Sequence, residues 1–268
     1  MYLQHFGLKH DPLGKAIKQS VPQQQFNLLK QKLDALLSTK GIGLITGDAG
    51  TGKTTALRQW CQSINPLTHK MIYQSDNHFR PFDIYSQFAD SLGLDKFYRY
   101  SILWRKLKSQ LLDLYDNKQL TPIWILDEAH QLPANFLLEL PSFLNFSFDT
   151  RDILIVILVG TPQINYIFSR QTFSPLSSRI LFNFHWAAIE DFEQFSTFIL
   201  SAFKQAGKNE VIFSSSGLKL IHMASKGRVR LAHKVLTQCL QLATLQGLNH
   251  IPDDVIDQVI NELKSFAS

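Results

Sequence analysis

G-D-A-G-T-G-K-T, Gly47 to Thr54, is preceded by G-I-G-L-I-T, Gly41 to Thr46, and followed by T-A-L-R-Q-W-C, Thr55 to Cys61. The central segment fits the pattern G-x-x-x-x-G-K-[ST]. The segment before it is short, apolar and β-branched, as a buried strand should be. The segment after it has helical spacing. Strand, glycine loop and helix in that order let successive backbone N–H groups converge on phosphate oxygens at the positive end of a helix dipole. Lys53 can then reach the β and γ phosphates, and the Thr54 hydroxyl can ligate Mg²⁺. Gly47, Asp48, Ala49, Gly50, Thr51, Gly52, Lys53, Thr54 and Thr55 are therefore the candidate contacts to ATP with its Mg²⁺.

Some seventy residues on, P-I-W-I-L-D-E supplies the complement, from Pro122 to Glu128. Ile123 to Leu126 reads as a buried parallel strand. Asp127 and Glu128 stand at its C-terminal end, where open α/β sheets bind ligands. Asp127 is expected to hold the Mg²⁺ through water. Glu128 is expected to orient or deprotonate the attacking water. With Ala129 and His130 following it, Glu128 favours hydrolysis over simple retention of the nucleotide.

Composition sets the outer bounds. The 268 residues are 45% hydrophobic, enough for one large domain or a large and a small one. Cys61 and Cys239 form no metal or redox motif and suggest a reducing compartment. The longest apolar run, Ile153 to Val159, is strand-sized and far short of a membrane helix. The start, M-Y-L-Q-H-F-G-L-K-H, has no charged segment followed by a long apolar one, so a cytoplasmic protein with no membrane partner is expected. The nine histidines are scattered without metal spacing, so no zinc site is assigned. A formal charge of +5 and a pI of about 9.1 are compatible with nucleic acid, and their distribution matters more than their size.

Periodicity orders the remainder. Residues 1–28 are irregular. Helices are expected over Phe26–Leu37, Ile84–Leu92 and Ile102–Tyr115, the last with Leu103, Leu107, Leu111 and Leu114 on one face. Asn135 to Asn145 looks helical but interrupted at Pro141. Strands are expected at Met71–Gln74, Ile153–Val159 and Ile180–Phe184. From Ile189 the pattern becomes helical throughout, roughly 190–205, 215–225, 228–246 and 252–265. The fold class is therefore α/β, a parallel sheet flanked by helices, followed by a small all-helical lid. The expected division is an N-terminal segment, 1–28, packing on the nucleotide domain, 29–188, and a lid, 189–268.

Further segments narrow the family. V-G-T-P-Q-I ends the third apolar strand, S-S-R-I precedes the last strand, and G-R-V-R-L-A-H-K-V opens a C-terminal helix. With the nucleotide motifs, this order resembles AAA+ ATPases. It is similar in particular to the transposition regulators and ExeA-like proteins grouped around TniB, TnsC and MuB. F-G-L-K-H-D-P-L resembles the N-terminal F-G-L-x-x-x-P-F signature of the ExeA-like group, with Leu13 in place of the usual Phe. F-L-N-F-S-F-D resembles its L-x-N-F-x-x-D segment. The resemblance implies roles by position. Thr161 takes the place of the first sensor, with Gln163 as the alternative. Arg179 takes that of the finger arginine, reaching the ATP of a neighbouring subunit; its planar fork suits two phosphate oxygens. Arg230 takes that of the second sensor, with Arg228 as the alternative. Hydrolysis would then depend on a homo-oligomer, a ring or helical filament with ATP at subunit interfaces.

The same resemblance places double-stranded DNA against the stretch between the two nucleotide motifs. There, D-N-H-F-R-P-F (Asp76 to Phe82) and D-K-F-Y-R-Y-S (Asp95 to Ser101) mix basic and aromatic residues. Arg80, Lys96, Arg99 and Lys106 are the candidate phosphate contacts, with Tyr98 and Ser101 as hydrogen-bond donors. Such contacts carry no sequence preference. Phe79, Phe82, Phe97 and Trp104 are of a kind more often found packing a core or a helix than stacking on bases. The implied role is an ATP-dependent regulator that assembles on target DNA and recruits a transposase, with a target-selection protein as a possible further partner. An ExeA-type secretion ATPase is expected to add a membrane span and a wall-binding domain. An origin-type ATPase or helicase loader is expected to add a winged-helix or helix-turn-helix domain. A chain that ends just after the lid is expected to suit a standalone regulator. A nucleotide switch that ignores DNA shares every nucleotide residue.

Overall fold

The computed structural model describes residues 2–14, 22–76 and 79–265. Part of the N-terminal segment (15–21) and two residues of the first basic-aromatic segment (77 and 78) lie outside the described residues. In chain order the helices are α1 (Tyr2–His5), α2 (Gln23–Thr39), α3 (Lys53–Cys61), α4 (Pro81–Ser91), α5 (Tyr100–Asp116), α6 (Ala134–Leu144), α7 (Gln163–Phe168), α8 (Ser174–Ser177), α9 (Phe192–Gln205), α10 (Ser215–Ser225), α11 (Val229–Leu245) and α12 (Asp253–Ser265). The chain divides into two compact units: one of residues 27–47 and 60–185, the other of 1–26, 48–59 and 186–268.

The first unit holds the sheet. Strands β1 (Gly41–Thr46), β2 (His69–Gln74), β3 (Thr121–Leu126), β4 (Ile155–Gly160) and β5 (Ile180–His185) lie in the order β2-β3-β4-β1-β5. Every pairing is parallel. The near-continuous apolar runs occupy the middle: all of β4 is buried, and all of β1 and β3 but their first residues. The edge strand β5 is mostly unburied. Register aligns the strand ends, with Thr46 opposite Gly160 and Leu126 opposite Leu158. The segments after β1, β3 and β4 therefore emerge along one edge.

One face of that sheet packs on an aromatic cluster. Phe88 of α4 stacks on Trp124 at 4.1 Å between centroids, and Tyr85 contacts Trp104, Trp124, Phe136 and Phe143. The buried Trp124 indole donates to Gln74 Oε1 at 3.2 Å, so burying it costs no unpaired donor. Leu103, Leu107, Leu111 and Leu114 of α5 are all buried, as their spacing requires. The break expected at Pro141 does not occur. α6 runs through it, because Pro141 removes only one backbone donor while Phe136, Leu137, Leu140, Phe143 and Leu144 bury their side chains on either side of it.

The second unit is helical. Asp191 caps α9 by accepting from the Gln194 N–H at 2.8 Å, and Ser214 caps α10 by accepting from the Gly217 N–H at 2.8 Å. Phe195, Ile199, Ile221, Leu236 and Ile256 centre its core. Phe6, Leu8 and Leu13 from the N-terminal segment enter the same core. His233 Nε2 on α11 lies 2.7 Å from Asp11 Oδ2, which fastens that segment. Gly227 joins α10 to α11 at φ +68°; a Cβ there would stand 2.1 Å from the Ile189 carbonyl oxygen, so only glycine fits.

Candidate nucleotide site

The phosphate loop, from Asp48, belongs to the helical unit. Its backbone turns at Gly50 (φ +80°) and Gly52 (φ +105°). Thr51 Oγ1 donates to the Asp48 carbonyl at 2.9 Å, and Lys53 Nζ donates to the same oxygen at 2.8 Å. The loop is also held from outside. The buried Trp186 indole donates to the Thr51 carbonyl at 3.0 Å, and the Arg230 N–H donates to the Gly50 carbonyl at 2.9 Å. A Cβ on Gly50 would stand 2.8 Å from Arg230 Cβ, so α11 begins in contact with the loop. Arg228 Nη2 lies 3.7 Å from Asp48 Oδ2. Both second-sensor alternatives are thus at the loop, and they touch it differently. Arg228 faces the Asp48 carboxylate, and Arg230 lies along Gly50. Trp186 belongs to no motif, and the sequence carries no signal for it beyond its place after the last strand.

The acidic residues stand on the C-terminal edge of the sheet unit. Asp127 is buried, at 4% exposure. Its Oδ1 accepts from the Glu128 N–H at 2.9 Å, and its Oδ2 accepts from the Tyr73 hydroxyl at 2.9 Å. Tyr73 was not foreseen; it comes from the end of β2, paired with Ile125 of β3. Glu128 adopts a left-handed backbone (φ 53°, ψ 37°), uncommon for a non-glycine residue and concentrated at functional sites. Its side chain is half exposed.

Thr161 follows β4 on the same edge. Its Oγ1 is buried without a hydrogen-bond partner among the described residues. An orphaned hydroxyl of this kind fits a ligand or water acceptor supplied from outside. Gly160 accepts from the Gly47 N–H at 3.2 Å, which ties the start of the phosphate loop to the sensor position. Gln163 starts α7 and is exposed. His130 connects this group. Its Nδ1 lies 3.4 Å from the Thr161 N–H and 3.5 Å from Glu128 Oε2. One ring nitrogen cannot serve both: accepting from Thr161 leaves it no proton for Glu128. Nδ1 therefore accepts from the Thr161 N–H and stands beside Glu128 without donating to it.

Arg179 is at the other end of the sheet. It precedes β5, and its carbonyl lies near the start of β1 at Gly41. A six-residue strand spans about 20 Å, so Arg179 stands a strand length from Gly47. Its Nη2 donates to both oxygens of Asp149, at 2.9 and 2.8 Å.

The basic-aromatic stretch divides. Phe82, Phe97, Tyr100 and Trp104 pack against the sheet core. Arg80, Lys96, Arg99, Ser101, Arg105 and Lys106 are exposed, and Tyr98 is 92% exposed. Arg80 and Arg99 sit at the N-caps of α4 and α5. Lys108 Nζ donates to the Asn145 carbonyl at 2.5 Å and stands 4.6 Å from the centre of the Phe146 ring. It closes the end of α6.

Residues 34–168, half of the chain, match the AAA domain model. The chain belongs to the AAA domain family. Its parallel sheet and C-terminal helices are the AAA+ fold. The General secretion pathway protein A of Aeromonas hydrophila is 25% identical over 264 residues, covering 94% of this chain and 46% of that protein. This AAA protein thus spans about half the length of the curated relative it matches. Among solved structures, the Aeropyrum pernix ORC2 protein, in ADPNP-ADP complexes, superposes with a TM-score of 0.69 at 21% identity, covering 90% of this chain and 67% of that one. Cdc6p from Pyrobaculum aerophilum gives 0.70 at 19% identity, covering 93% and 68%. The Aeropyrum pernix ORC1 protein, in complex with DNA, gives 0.69 at 16% identity, covering 94% and 68%. No described helix is long and apolar enough to cross a membrane.

Proposed function

We propose that the chain is an ATP-hydrolysing AAA+ subunit that works by self-assembly, with the finger of one copy completing the site of the next. The observation that carries this is the position of Arg179, at the end of the sheet a strand length from Gly47. ATP and Mg²⁺ fit the residues present: glycine backbone at positive φ, hard oxygen donors on Thr54 and Asp127, and the orphaned Thr161 hydroxyl. Bound Mg²⁺ would offset phosphate charge. Lys53 and the loop N–H groups hold the β and γ phosphates. Thr54 and Asp127 hold the metal, with Tyr73 fixing the Asp127 carboxylate. Glu128 orients the attacking water and takes its proton, His130 and Thr161 report the γ-phosphate to Glu128, and Arg230 or Arg228 couples the helical lid (189–268) to the loop.

The cellular role proposed first is that of a secretion- or origin-type AAA+ ATPase. The name of the General secretion pathway protein A, the ORC and Cdc6 folds and the F-G-L-K-H-D-P-L opening all support it. A second role, a DNA-bound transposition regulator, rests on the exposed Lys96, Tyr98, Arg99 and Lys106 surface. ATP would drive assembly on duplex DNA there, and a transposase would be the partner.

The deciding experiment is turnover and sedimentation across protein concentration, with ATP, a slowly hydrolysed analogue and ADP, each with and without duplex DNA. A rate per chain that rises with concentration supports assembly. A further rise with DNA favours the origin-type and transposition roles over the secretion one. A concentration-independent rate contradicts the proposal.

A further inference from the structure

Ser147, Phe148 and Asp149 carry φ values of +51°, +58° and +62°. None is glycine, so three successive side chains sit in a backbone region that disfavours them. The turn is stapled in that shape. The Asp149 N–H donates to Asn145 Oδ1 at 3.0 Å, and the Thr150 N–H donates to the Ser147 carbonyl at 3.3 Å. Phe146 and Arg151 form an antiparallel bridge across its base, and Lys108 anchors the Asn145 carbonyl. The staples hold Phe148 outward, fully exposed at 101%. They hold Asp149 against Arg179, whose Nη2 alone is engaged among the described residues. A guanidinium has five donors on three nitrogens, so Nη1 and Nε remain for a second anion. Beside Arg179 opens a cavity of about 200 Å³, lined in part by Lys40, Leu144, Leu154 and Leu181.

We propose that the Ser147–Asp149 turn is a self-association contact, in which Phe148 seats on a second copy of this chain and Asp149 is a positioning residue that aims Arg179 at the triphosphate bound by that copy. It rests on the reading of Arg179 as a residue acting between subunits. The occupant follows from the unused donors of Arg179 and from distance. Asp149 and Asp152 offset the charges of Arg179 and Lys40, so what marks this end of the sheet is the free guanidinium edge of Arg179, a strand length from Gly47 of its own chain. The loop of another copy brings the anion that edge suits. A turn whose backbone is already fixed loses little freedom on docking, which suits its exposed ring as a contact anchor. Asp149 leaves the free edge of the guanidinium pointing at one partner rather than sweeping through solvent.

The test uses the full chain with the slowly hydrolysed analogue, reading assembly by sedimentation and turnover across protein concentration. Phe148→Ala should move the assembly midpoint to roughly tenfold higher protein concentration. Its analogue affinity when dilute and its melting temperature should stay unchanged, since the ring makes no buried contact. Asp149→Asn should assemble as the parent does but lose about tenfold to a hundredfold in kcat at saturating protein, with ATP affinity intact. Assembly of Phe148→Ala at the parent's concentration, or turnover of Asp149→Asn at the parent's rate, overturns the proposal. If the parent assembles and Arg179→Ala is inactive while Phe148→Ala is unchanged, only the role of the turn fails. If the parent turns over as a monomer, the reading of Arg179 fails with it.

Discussion

Adding one methyl group at Gly50 tests how closely the lid helix controls the phosphate loop. Alanine there would be strained at φ +80° and would press on Arg230 Cβ. Strain of this kind shifts a local equilibrium by about tenfold or more. Gly50→Ala should therefore weaken ATP binding by roughly that factor in a titration, with the sheet unit's unfolding unchanged. Glu128→Gln should keep ATP bound and lower turnover by about a hundredfold or more, the range for losing a general base. His130→Ala should lower kcat without changing ATP affinity, because its ring stands beside Glu128 and Thr161. Unchanged turnover in either variant removes that residue from the chemistry. At this scale the motif residues were legible, since phosphate and metal chemistry demands those types at that spacing. Tyr73, Trp186 and Asp149 were not, because each acts through a neighbour distant in sequence.

Elements were legible wherever one period ran long enough. The α5 leucines and the β1, β3 and β4 apolar runs are examples. Leu107→Ala should cost about 2–5 kcal/mol in denaturant unfolding, as for a fully buried leucine in a close-packed core. Pro141 misled because proline chemistry is local and the packing that keeps α6 whole is not. The N-terminal segment was illegible for a similar reason: its apolar residues have no period, yet Phe6, Leu8 and Leu13 enter the helical core. Asp11 fastens it. Burial works to raise the Asp11 carboxyl, but the His233 hydrogen bond and charge, the Leu13 N–H and the Tyr2 hydroxyl outweigh it and hold the group below its ordinary value. A depressed carboxyl contributes stability that is full above its unfolded value, about 4, and is lost as pH falls through the folded one. Asp11→Asn should cost about 1 kcal/mol at neutral pH, a modest figure for a half-exposed pair. The gap to the parent should narrow below about pH 4; a gap constant with pH would rule out the carboxylate as its source.

For the whole molecule, the fold class was legible because a single loop between strand and helix implies a parallel sheet around it. The cellular role was not, since the nucleotide residues are common to secretion, origin and transposition ATPases alike. On the DNA-bound reading, Arg80→Ala with Arg99→Ala should weaken binding to duplex DNA at every sequence and flatten its salt dependence. No change would remove the α4 and α5 N-terminal surface from DNA contact. The central claim is that a site is completed by a neighbour. It is tested most directly by mixing Glu128→Gln with Arg179→Ala, each inactive alone, and measuring ATP turnover. Each variant carries the residue that the other lacks, so mixed assemblies should regain activity that rises with total protein. A mixture as inactive as its parts, with Arg179→Ala also losing ATP affinity as a dilute subunit, would place Arg179 in its own chain's site and contradict the account.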